Sequence, residues 1–105
     1  MSQEIVIQVP ISPVNITVRV EADARLGKAM FHARLLFPGH TALNTPYQPH
    51  YEAPDDVTFA SHWYASGFQI EVVGYVESDA SKRPFAACYG CTGLTESTTF
   101  IFKLS

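Results

Sequence analysis

Two cysteines, Cys88 and Cys91, stand in C-x-x-C spacing, a pattern that serves half a zinc site, a redox dithiol or a tight disulfide. A structural zinc needs two further ligands. There is no second C-x-x-C, so those ligands would have to come from His32, His40, His50 or His62 through folding. A thioredoxin-type dithiol needs its first cysteine at a helix N-terminus after a strand, a setting that Tyr89 and Gly90 in a β-rich context do not supply. Inert thiols or a loop disulfide are the expectation, with no cofactor and no metal.

The second group lies in residues 38–56, where Pro38, Pro46, Pro49 and Pro54 stiffen a stretch bearing Tyr47, His50, Tyr51, Asp55 and Asp56. Aromatic faces stack on apolar ligand surfaces while carboxylates and imidazoles make directional hydrogen bonds, a mixture suited to a carbohydrate or a protein ligand. The competing role is packing, in which Tyr47 and Tyr51 pin the loop across one end of the domain and Asp55 and Asp56 open the next strand. Histidines and carboxylates here also have ligand types suited to zinc, although scattered loop histidines are more often solvated.

His62, Trp63 and Tyr64 follow. With Trp63 inward beside Phe59, as a large aromatic in a sandwich core, His62 and Tyr64 turn to solvent or a partner and extend the loop's surface. Nucleophilic catalysis finds little support. There is no G-x-S-x-G, and Ser61 and His62 are strand neighbours whose side chains point to opposite faces. Gly90-Cys91-Thr92-Gly93 is too short to cradle a phosphate. The chain is therefore expected to have no catalytic role of its own.

Strands are the elements that must position these groups, because apolar residues alternate through most of the chain. Ile5, Ile7 and Val9 share one face of a first segment; Val14, Ile16, Val18 and Val20 share that of a second, whose β-branched content suits a strand. Residues 28–37 admit two readings. As a strand they bury Ala29, Phe31, Ala33, Leu35 and Phe37, entered by a hairpin turn at residues 23–27; as a helix near residues 24–37 they start at Asp23 and end at Pro38 and Gly39. Gly27 and the turn favour the strand. After the long loop, Val57, Phe59 and Trp63 alternate toward a turn at Ser66 and Gly67 and form a hairpin with Phe68, Ile70, Val72, Gly74 and Val76. A turn at 78–84, a short strand at 85–89, a loop at 90–97 and a last strand burying Thr98, Phe100, Phe102 and Leu104 complete the pattern. Short strands at this spacing predict one all-β domain over residues 1–105, an antiparallel β-sandwich of about seven strands, immunoglobulin-like or jelly-roll-like. The alternative is α+β with one helix near 24–37.

At 105 residues there is material for one core, and 47% hydrophobic against 16% charged residues is apolar for a globular chain. So few charges leave apolar surface exposed, which points to a homo-oligomer with Val6, Leu36, Val73 and Ile101 as outer contacts. The net charge of −3 is dispersed, and only Lys82 and Arg83 stand together, so neither nucleic acid nor an anionic membrane is an expected partner. No apolar run approaches the twenty or so residues of a membrane span. The opening residues lack the basic and apolar regions of a secretory signal; the chain as written is expected in the cytoplasm, with a mature secreted form as the alternative. Two functions follow: a non-catalytic module binding a carbohydrate or protein ligand through Tyr47, His50, Tyr51, Asp55, Asp56 and Tyr64, or a structural subunit of a homo-oligomeric assembly. A small metalloprotein or thiol enzyme using Cys88, Cys91 and histidines is the third.

Overall fold

The computed structural model describes residues 2–7, 11–39, 44–59, 63–64, 66–78 and 81–105. It is an all-β sandwich of two packed sheets. Among the described residues there are seven strands, β1 (Ile16–Ala22), β2 (Lys28–Leu36), β3 (Tyr51–Glu52), β4 (Asp55–Thr58), β5 (Phe68–Ser78), β6 (Ser81–Cys91) and β7 (Thr98–Leu104). One sheet has the order β4-β1-β7 and the other β3-β2-β5-β6. Among these residues no helix is long and apolar enough to cross a membrane.

Alternation decides what is buried. Val14, Ile16, Val18 and Val20 line the small sheet's inner face, opposite Ala29, Phe31, Ala33 and Leu35 of β2 and Phe68, Ile70, Val72 and Val76 of β5, all at most 7% exposed. The helix alternative for 24–37 is settled in favour of the strand, although Ala, Leu, Met and Arg are good helix formers. Burying every second residue of β2 between two sheets outweighs helix propensities worth tenths of a kcal/mol each. The helical start survives only as a three-residue 3-10 turn, Ala24–Leu26, in which the Asp23 carboxylate accepts from the Arg25 N–H. Gly27 leaves that turn at φ 93°, where a Cβ would stand 2.6 Å from the Glu77 carbonyl oxygen.

Several expectations need correction. The turn at 23–27 does not close a hairpin; it carries the chain from one sheet to the other, since β1 pairs with β4 and β7 while β2 pairs with β3 and β5. The sandwich is not wholly antiparallel, because β1 and β7 run parallel from Ile16↔Thr98 to Ala22↔Leu104. β4 pairs with β1, so it forms no hairpin with β5, whose hairpin partner is β6. Ser81–Cys91 is one eleven-residue strand, which takes up the last residues of the expected 78–84 turn and the expected short strand at 85–89, in register from Ser78↔Ser81 to Phe68↔Cys91, while residues 79 and 80 lie outside the described residues. Pro84 within it sits on a sheet edge, where its missing N–H disrupts no inner ladder. Residues 2–7 form no strand, and Ile5, Val6 and Ile7 are 76–78% exposed; Val9 lies outside the described residues.

Candidate functional site

The segment expected as an unstructured 38–56 loop is, over its described residues, a ragged edge to β2. Thr45 N–H donates to the Leu35 carbonyl, Gln48 N–H to that of Ala33 and Ala53 N–H to that of Ala29. The Thr45 hydroxyl and the Asn44 side-chain carbonyl accept from the N–H groups of Leu35 and Phe37. Backbone bonds at 29, 33 and 35 hold the loop against one strand, so its side chains fall on a defined face.

That face is the outer surface of the large sheet, reached by the residues of β2 and β5 that alternate with the core. His32 Nδ1–H donates to the Gln48 carbonyl at 2.7 Å, and the His50 ring stacks on His32 at 3.7 Å between centroids. Tyr75 meets His50 edge-on at 5.6 Å. The Arg34 guanidinium lies 4.3 Å from the centre of the Tyr47 ring and donates to Glu71, which also accepts from the Tyr47 hydroxyl. Each ring thus has a partner within the protein, and cation–π contact and stacking spend much of the surface a ligand would use. Tyr47 remains 37% exposed and His50 is exposed.

The other residues of the expected site go elsewhere. Tyr51 is half-buried, its ring 5.8 Å from Phe31 in the core. Asp55 and Asp56 belong to the small sheet. There Arg19 grips both Asp56 oxygens at 2.8 and 3.1 Å and holds that carboxyl below its ordinary value, while Asp55 accepts from the Asp56 N–H. With Arg19, Glu21 and Pro54 they line a shallow groove of about 390 Å³. Trp63 and Tyr64 exchange their expected places. Trp63 is 53% exposed, and Tyr64 is 4% exposed, stacked on Phe37 at 5.9 Å and 5.4 Å from Phe68. Burial pushes the Tyr64 phenol up. The physical reason is that β4 ends at Thr58, so its alternation does not carry through to residue 63. His62, Ser61 and His40 lie outside the described residues.

Cys88 and Cys91 are both free, and no loop disulfide joins them. They occupy β6, where positions three apart point to opposite faces. Cys91, opposite Phe68, faces inward and burial pushes its thiol up; Cys88, opposite Glu71, faces out. Two such sulfurs cannot share one metal ion or close a disulfide. Among the described residues no three His, Cys, Asp or Glu side chains gather closely enough to hold a metal.

One feature went unseen in the sequence. The three-stranded sheet is a strand narrower than its partner, so among the described residues the inner face of β6 is only partly covered. Register with the buried residues of β5 puts Phe85, Ala87, Tyr89 and Cys91 on that face. Tyr89 is 50% exposed, its ring 5.7 Å from Phe100 of β7. Phe100, Phe102 and Leu104, in register with the buried residues of β1, are themselves only half-buried. Tyr89, Phe100, Phe102 and their β7 neighbours line an open cleft of about 440 Å³. No family model, no curated protein and no solved structure matches this chain.

Proposed function

We propose that this protein is a non-catalytic structural subunit that associates with copies of itself through the open side of its sandwich. The observation that supports this most strongly is the half-exposed apolar row of β6, with Tyr89 at its most open point, facing the half-buried aromatics of β7. Contiguous apolar surface of this kind in a chain with few charges favours a protein interface, because hiding it from water is worth about 25 cal/mol per Å². Trp63 and Ile101, 53% and 49% exposed, add to the apolar surface available. A stable contact buries about 1,200–2,000 Å² in total. The test is light scattering coupled to size separation over a range of concentrations. A mass above 11.6 kDa that grows with concentration is expected; a monomer at every concentration overturns the reading.

Recognition of a carbohydrate or protein ligand through the long loop is the second reading, favoured by the residual exposure of Tyr47 and His50. It has lost Tyr51, Tyr64 and Asp56 to packing and to an ion pair. A monomer that binds on a glycan array, with binding removed by Tyr47→Ala, supports it over assembly.

A further inference from the structure

We infer that the exposed N-terminal arm of one copy adds as a strand to the free edge of β7 in a second copy, covering the open row of β6. The inference rests on the self-association reading and names the segment and the edge that carry it.

The acceptor edge follows from the register. Thr98 N–H donates to the Asn15 carbonyl, and the Leu104 carbonyl accepts from the Asp23 N–H, so the even-numbered residues of β7 bond toward β1. The peptide groups of Thr99, Ile101 and Lys103 then point the other way, where no strand pairs with β7 among the described residues. The other edges are guarded. β3 and β4 have two and four residues, and β6 carries Lys82, Arg83 and Pro84, devices that discourage strand addition. β7 has seven residues, no proline and one charge, Lys103.

The occupant is in the same chain. Residues 4–9 read Glu-Ile-Val-Ile-Gln-Val, a β-forming run with Ile5, Ile7 and Val9 on one face. Such a segment normally finds a sheet, yet Ile5, Val6 and Ile7 are 76–78% exposed. At about 3.3 Å per residue, six residues span roughly 20 Å, close to the length of β7. An added strand beside β7 lies over β6, with one face of the arm toward Phe85, Ala87 and Tyr89. Pro13, with φ held near −65°, resists a tight reversal before β1, which favours a neighbour's edge over the arm's own. Strand addition of this kind draws affinity from main-chain bonds and specificity from alternate side chains.

The test uses two variants of the full chain. Ile5→Asp with Ile7→Asp spoils the arm and spares the edge; Ile101→Pro removes an edge-facing N–H and spares the arm. Circular dichroism confirms that each folds. Each variant alone is expected to associate at least about 100-fold more weakly than the parent. Mixed, they are expected to form a one-to-one pair and nothing larger, because only one arm and one edge remain. A synthetic peptide of residues 2–9, titrated by fluorescence anisotropy against the arm variant, is expected to bind, which keeps the test alive if Ile101→Pro does not fold. Association that persists in both variants, or a peptide that does not bind, overturns the arm and leaves self-association standing. A parent that is monomeric with amides 4–7 protected from exchange means that the arm closes its own sandwich, and both readings fall.

Discussion

Gly74→Ala puts the close approach of β2 and β5 to a quantitative test. A Cβ at position 74 would stand 1.9 Å from the Met30 carbonyl oxygen and 2.9 Å from Met30 C and Phe31 Cα. These are backbone atoms of the neighbouring strand, so no side-chain rotation relieves the clash. To regain ordinary contact the strands must part locally by about 1.5 Å, which takes ladder bonds near the Phe31↔Gly74 pair beyond hydrogen-bonding range. Two such bonds at about 1 kcal/mol each, with strain at the low end of the 1–3 kcal/mol typical of overpacking, give a loss of about 3 kcal/mol. That is a large share of the 5–15 kcal/mol usual for a domain and corresponds to a melting temperature lower by roughly 15 °C. Gly90→Ala is the internal control, since nothing lies within 4 Å of its Cβ position. It is expected to change stability by less than about 1 kcal/mol, in the stabilising direction if only the unfolded chain's freedom is reduced. Urea unfolding followed by far-ultraviolet circular dichroism measures both. If Gly74→Ala unfolds at the parent's urea concentration, the two strands do not lie as close as the argument requires.

Other substitutions read other parts of the molecule. Tyr64→Ala is expected to cost about 3–5 kcal/mol in the same unfolding assay and Trp63→Ala less than about 1 kcal/mol, the reverse of what alternation in the sequence suggests. Iodide should quench Trp63 fluorescence in the folded state. Asp56 has its folded pKa lowered from 3.8 by Arg19, so its stabilising effect is present above that value and lost as pH falls below it; Asp56→Asn should reduce the acid sensitivity of the melting temperature. A thiol reagent is expected to find two free thiols and to modify outward Cys88 before inward Cys91, whose ionisation burial opposes.

The fold class was legible because period-two burial is a local signal. The residues assigned inward in β1, β2 and β5 are the ones the two sheets bury. Pairing was not legible, because a run such as residues 57–59 buries the same side chains whether its neighbour is β1 or β5. The close spacing of residues 57–64 and 68–77 favours a hairpin, and the small sheet instead joins residues 35 to 82 positions apart, as Val20 with Asp55 and Ile16 with Thr98. The expected site dissolved for a related reason. Tyr47, Tyr51 and Asp56 are neighbours along the chain, but the ends of the loop serve different sheets, so one ring lies on the outer face, one in the core and the carboxylate on Arg19. The cleft between β6 and β7 depends on one sheet being narrower than the other. Strand order decides that, and no short window of sequence records it.

The parallel pairing of Ile16 with Thr98 and of Ala22 with Leu104 also sets a timetable. During synthesis the middle strand of the small sheet leaves the ribosome early, while the strand that borders it along its whole length emerges last. For most of that interval Ile16, Val18 and Val20 have only part of their cover, a period in which a nascent chain is open to chaperones and to unwanted association. Contacts so distant along the polypeptide are also slow to form, placing folding in the millisecond-to-second range of β-rich domains. A ribosome stalled before residue 98 should therefore display a nascent chain that protease readily cuts, and release past residue 104 should make it resistant.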